Sequence, residues 1–251
     1  MEMHEFVKFI ENRSPGFSSR IMPAAEYLIE DVVTSAKHPL PKLYLDFLRS
    51  MGLESAEFAV RKMSFDPMDV ADYVASDSSP PPDRFSLFAL NVPDPGELYM
   101  HWYFDHANTS KSDCLVVTFE DIGSGTIEEG QIIPSYASFH ELLLYWGFNI
   151  FSLRKQPFMH KLTLSCAATA DGDRSKDTVR DCRAIAQRLG FKSVLPPTEN
   201  CWTGESTDSS IMIYQLARPD ARESLFVRVG THEKQECLRI CGVIEDNLER
   251  R

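Results

Sequence analysis

Apolar positions recur at helical spacing from the first residues onward. Met3, Phe6, Val7 and Ile10 fall at i, i+3, i+4 and i+7, and Ser14-Pro15-Gly16 ends that run. Ala25, Leu28, Ile29, Val32 and Ala36 repeat the spacing after Pro23, predicting a second helix. The stretch LPKLYLDFLRSMG, residues 40–52, predicts a third. Tyr44, Phe47, Leu48 and Met51 share one face, and Lys42, Asp46, Arg49 and Ser50 take the opposite one. Pro41 suits the first turn, and Gly52 is expected at a left-handed stop.

The pattern then changes period. FDPMDVADYV (65–74) predicts a short acidic helix, and the proline-rich SDSSPPPD (76–83) predicts a spacer, so residues 53–84 form an excursion within the domain. FSLFALNV (85–92) predicts a strand ended by PDPG. In ELYMHWYFD (97–105), Leu98, Met100, Trp102 and Phe104 alternate with Tyr99, His101, Tyr103 and Asp105, the signature of a strand with two distinct faces. CLVVTF (114–119) is apolar throughout, as a central strand covered on both sides would be. Ser138-Phe139-His140-Glu141 fits a capping box, with Phe139, Leu142, Leu143 and Trp146 giving the helix a buried stripe. In the tail, strands at LTLSCA, FKSVL, IMIYQLA and LFVRVG flank a helix at SKDTVRDCRAIAQRLG, and a last helix covers about 233–249. The fold class is therefore α+β. A mostly antiparallel sheet flanked by helices (1–155) is followed by a smaller α+β unit (156–251) of order βαβββα.

Charge distinguishes the two parts. The chain carries a net −11, and residues 1–155 account for all of it with 23 acids against 12 bases, whereas residues 156–251 hold 14 of each. Within residues 63–129 there are 13 acids and only Arg84 and Lys111 as bases. Such a field repels nucleic acid and anionic lipid and steers a basic partner inward; solubility alone is the simpler explanation. No stretch reaches the roughly 18 consecutive apolar residues of a membrane span. MEMHEFVKFIENRS lacks the basic and apolar regions of a secretory signal, so a cytoplasmic location is expected. Six cysteines without a CxxC pair fit buried free thiols; Cys237 and Cys241 lie four apart with Ile244 and Leu248 on the same helical face.

The chain has no GxSxG, Walker A or GxGxxG sequence. DGDRSKDTVRDC (171–182) spaces its acids like a calcium loop but puts Lys176 and Cys182 where glycine and glutamate belong, so a turn leading into a helix accounts for it. His101 and Asp105 share a strand face that His106 does not, and they read as polar surface positions. Glu141 is accounted for by capping. No catalytic residue, metal ligand or cofactor is expected.

LPKLYLDFLRSMG, GELYMHWYFD, CLVVTF and IIPSYASFHELLLYW occur here in an order that resembles the SUKH superfamily over about residues 22–150. Known members are mostly bacterial immunity proteins against polymorphic toxins, with fungal cell-wall regulators as distant relatives. The excursion at 53–84 is longer than the usual link, and the tail lies outside the pattern. The resemblance implies a protein that binds and blocks a cognate toxin, a basic nuclease-type one given the acidic domain, with no role for nucleic acid or membrane. Asp69, Asp72, Glu97, Tyr99, His101, Tyr103, Asp105, Asp121, Glu128 and Glu129 are the expected contacts. Tyr99, His101 and Tyr103 supply aromatic interface material, unless a helix of the same domain covers that face. A regulatory scaffold similar to the fungal relatives, and an enzyme with its site in the tail, are the alternatives.

Overall fold

Alternating periods of 3.6 and 2 along the chain produce helices and antiparallel sheets in both halves. The computed structural model describes residues 1–58, 63–76, 82–91, 100–110, 113–120, 127–165, 174–216 and 224–249. They form two compact units, one of residues 2–7 and 15–140, the other of residues 1, 8–14 and 141–251. The division falls between His140 and Glu141, inside a helix, whereas the sequence pattern changes after residue 155.

The first unit contains helices α2 (Glu26–Ser35), α3 (Lys42–Met51) and α4 (Pro67–Ser76), with residues of α1 (Met3–Glu11) and the start of α5 (Phe139–Phe151). Its strands are β1 (Met63–Ser64), β2 (Phe85–Asn91), β3 (Met100–Ser110), β4 (Asp113–Glu120) and β5 (Ile133–Tyr136). They form a meander in chain order, antiparallel throughout, with β3 at the centre. The register of β2 on β3 slips between Leu87 and Ala89, and Phe88 stacks on Phe104 with ring centroids 4.2 Å apart.

The third helix does what its stripe predicts. Tyr44, Phe47, Leu48 and Met51 are all fully buried. Tyr44 meets the rings of Phe88, Phe104 and Phe139 edge-on at 5.3–5.7 Å, a preferred arrangement for aromatic quadrupoles. Its hydroxyl donates to the Phe88 carbonyl at 3.1 Å, so the one polar atom in this cluster is satisfied. Gly52 departs from expectation. Its φ of −70° and ψ of −30° are right-handed. Glycine is needed there because a Cβ would lie 2.7 Å from the Cα and the carbonyl oxygen of Leu48.

Helix α5 starts where predicted, and its opening N–H groups are met from another strand. The Asp113 carboxylate accepts from the backbone of Phe139 at 3.1 Å and of His140 at 3.2 Å, a favourable use of negative charge at a helix N-terminus. Burial pushes the Asp113 carboxyl upward, against the lowering effect of these bonds.

The second unit contains β6 (Phe158–Ser165), α6 (Arg174–Arg188), β7 (Lys192–Ser193), β8 (Cys201–Glu205), β9 (Ser209–Gln215), β10 (Ser224–Thr231) and α7 (Lys234–Glu249). Its sheet runs β6-β10-β9-β8-β7, and every pairing is antiparallel. The order is thus βαββββα. The additional strand, CWTGE, has too few alternating apolar positions to show in the sequence. Leu164, Ile211, Ile213, Leu225, Val227 and Val229 of the sheet pack with Val179, Cys182, Ile185, Cys237, Ile240, Cys241 and Ile244 of α6 and α7. Trp202 lies across Gly204, where a Cβ would come within 2.4 Å of its ring. On the opposite face Tyr145 meets Tyr214 edge-on at 5.0 Å, and Arg228 lies over both rings and donates to Asn149 at 3.1 Å.

Tyr44→Phe should cost about 1 kcal/mol through loss of the buried hydroxyl bond. Tyr44→Ala should cost about 3–5 kcal/mol because it opens the aromatic cluster. Urea denaturation measures both, and equal costs for the two variants would contradict the packing described.

Candidate functional site

The strand face expected to meet a partner is inside the protein. His101, Tyr103 and Asp105 are 3%, 2% and 0% exposed. Helix α4 supplies part of the cover, with Tyr73 edge-on to the His101 ring at 4.6 Å. Tyr103 stacks on Phe119 at 4.0 Å and meets Phe85 at 6.4 Å. The backbone N–H of Asn91 donates to His101 Nδ1 at 3.1 Å. Alternation in the sequence separates the two faces of β3 correctly but cannot show that a helix 30 residues upstream folds back over the more polar one. These three residues are therefore corrected from contact surface to core.

Asp105 is instead the centre of a charge network. Arg84 donates to its two oxygens at 2.6 and 2.7 Å, the Asn108 amide at 2.8 Å and the Ala107 N–H at 3.0 Å. Burial pushes this carboxyl upward, but the bonds from Arg84, Asn108 and Ala107, with the charge of Arg84, outweigh it and hold the group below its ordinary value of 3.8. The guanidinium also binds Glu129, which raises its own affinity for its proton together with Asp105.

The exposed acids lie elsewhere. Asp69 and Asp72 project from α4, and Glu128 and Glu129 from a one-turn helix at Glu129–Gln131. Glu128 closes a capping box with Gln131. Asp69 accepts from the Ser64 hydroxyl at 2.9 Å, whereas Glu129 is partly neutralised by Arg84. On the surface of α2 stand Glu30 and Asp31, which sequence reasoning did not single out. Their neighbour Glu26 binds Arg49. Among the described residues no cation pairs with Glu30, Asp31, Asp69 or Asp72. The same two helices also expose Tyr27 at 65% and Met68 at 50%. Glu97, Tyr99 and Asp121 lie outside the described residues.

A cluster with the elements of nucleophilic chemistry sits near Asp105. His106 Nε2 lies 2.8 Å from Ser86 Oγ, and Nδ1 lies 3.6 Å from Cys114 Sγ. Cys114 is buried. Burial, with the charges of Asp113 and Asp105, pushes its thiol up to about 11. Burial and the neighbouring His38 push the imidazole down. Both shifts oppose the thiolate–imidazolium pair that a cysteine nucleophile uses.

In the second unit, a polar groove of about 460 Å³ is lined in part by Arg13, Ser152, Lys155, Gln156 and Glu205. Ser152 Oγ donates to Glu205 Oε1 at 2.6 Å, and Arg13 donates to both Ser152 and Glu205. The serine hydroxyl is held between the Glu205 carboxylate, which accepts its hydrogen, and the Arg13 guanidinium, which donates to its oxygen and also binds that carboxylate. Glu141, expected in a cap, accepts from Thr198 and Asn200 at 3.3 Å. Among the described residues no three His, Cys, Asp or Glu side chains are grouped to hold a metal ion, and no helix is long and apolar enough to cross a membrane.

Arg84→Ala should destabilise the protein by about 3–5 kcal/mol at neutral pH by leaving a buried carboxylate without its cation. The wild-type contribution from Asp105 is present above its ordinary pKa and is lost as pH falls through the depressed folded value. In the variant, burial becomes the dominant influence on Asp105, so the deficit should shrink as pH falls from 7 toward about 4.5. Denaturation curves across that range test this; a pH-independent deficit of about 0.5 kcal/mol or less would contradict it. Comparison with protein-family models and with curated proteins finds no match to this chain.

Proposed function

We propose that this chain is an immunity-type binding protein that recognises a basic protein toxin through the acidic surface of its first unit and blocks it by occupying its active surface. The observation that carries the reading is the set of exposed acids Glu30, Asp31, Asp69 and Asp72 on α2 and α4, with which no cation pairs among the described residues. The reading is supported too by α3, β3, β4 and α5, which form in the segments that carry the resemblance to SUKH proteins. A toxin that cuts nucleic acid must attract phosphates, so its active surface is basic, and an acidic face competes for that surface. Charge complementarity of this kind raises the association rate and selects the partner. Tyr27 and Met68, exposed on the same helices, supply apolar contact area. The cytoplasm is the compartment where such a protein would protect its own cell.

The product of the adjacent gene should bind this chain and should poison cells when expressed without it. The association rate should fall steeply as salt rises, because exposed charges are screened beyond about 8 Å at physiological ionic strength. Stopped-flow mixing at several salt concentrations measures this. A salt-independent rate, or a neighbouring product that neither binds nor poisons, would overturn the proposal.

A further inference from the structure

Helix α2 ends in a contact that can sense protons. Just past its last turn, the exposed ring of His38 stacks on His106 of β3, with centroids 4.5 Å apart and planes inclined by 31°. The preceding residue, Lys37, binds Asp83 beside the start of β2. Between this end of α2 and the sheet lies a void of about 40 Å³ whose lining includes Ser35, Ala36, Lys37, Ser86 and Val74. Packing under the helix end is thus incomplete, and the ring contact and the ion pair tie that end to residues of β3 and to the segment before β2.

His106 is arranged for the neutral state. In the tautomer with its proton on Nε2, that nitrogen donates to Ser86 and Nδ1 accepts from the Cys114 thiol, so both ring nitrogens are satisfied. A proton on Nδ1 would confront the thiol with a donor. Of the surrounding charges Asp105 favours that proton, but burial and His38 outweigh it. Asp105 is bound by Arg84, Glu129 is bound by the same guanidinium, and Asp83 is bound by Lys37. Asp113 accepts the first N–H groups of α5 and that of Cys114.

We infer that the His38–His106 stack is a proton-released latch, which docks the C-terminal end of α2 while the rings are neutral and frees it when both are charged. The inference rests on the proposed role of the α2 and α4 acids, because freeing α2 would disturb the surface that presents Glu30 and Asp31. Burial and the proximity of His38 hold the His106 imidazole below its ordinary value of 6.5. A base with a depressed folded value favours the docked form above the ordinary value and weakens it as pH falls from there toward the depressed one.

Hydrogen exchange on the free chain tests the latch without any partner, so its failure is distinguishable from failure of the binding proposal. The reporter is the Ala36 amide, which donates to the Val32 carbonyl at 3.1 Å in the last turn of α2. After correction for intrinsic exchange, its protection should drop about tenfold between about pH 7.5 and about pH 5.5 in the wild type. His38→Phe keeps an aromatic ring without a titrating group and should retain full protection at both values. His38→Lys keeps a fixed charge against His106, so its protection should still fall between the two values as His106 takes its proton. Protection that does not change with pH in the wild type, or that falls equally in His38→Phe, would overturn the latch.

Discussion

A carboxylate with no access to water must be met by a cation, and Asp105 is met by Arg84 through two short bonds. Much of the first unit follows from that pair. It fixes the start of β2 against the middle of β3, reaches Glu129 on the far side of β4, and leaves β3 with polar residues directed into the interior. The sheet is consequently covered on the face that its polar residues suggested was open.

Regular packing made most of this architecture readable. Tyr44, Phe47, Leu48 and Met51 announce a buried helical stripe because four large apolar groups at that spacing have few other uses. Strands β2, β4, β9 and β10 are visible because each carries a run of β-branched or aromatic residues. The elements that escape are short or polar. Strand β1 has only two residues, and Cys201–Glu205 contains one large apolar side chain; both exist because a neighbouring strand offers its edge. Gly52 shows a related limit. Its need for a missing side chain was legible, but the reason is the closeness of Leu48, which is a fact of packing.

The candidate surface was legible in bulk and misplaced in detail. The acid excess of residues 63–129 is a count, and counts survive folding. Alternation along β3 sorted His101, Tyr103 and Asp105 onto one face correctly, yet which face is covered depends on α4 and on Tyr73, a contact between distant segments. Glu30 and Asp31 went unnoticed because they flank a buried stripe on α2 and read as ordinary solvated positions. What distinguishes them is their partners: Arg49 is bound to Glu26 and Lys42 to Asp46, and among the described residues no cation pairs with Glu30 or Asp31.

Binding through α2 and α4 is the central claim, and charge reversal tests it most directly. Asp31→Lys with Asp72→Lys changes exposed mid-helix positions, so stability should stay within about 0.5 kcal/mol of the wild type. Surface plasmon resonance with the product of the adjacent gene should then show an association rate reduced by about tenfold or more, with dissociation changed much less. An unchanged association rate in a correctly folded double variant would contradict the account.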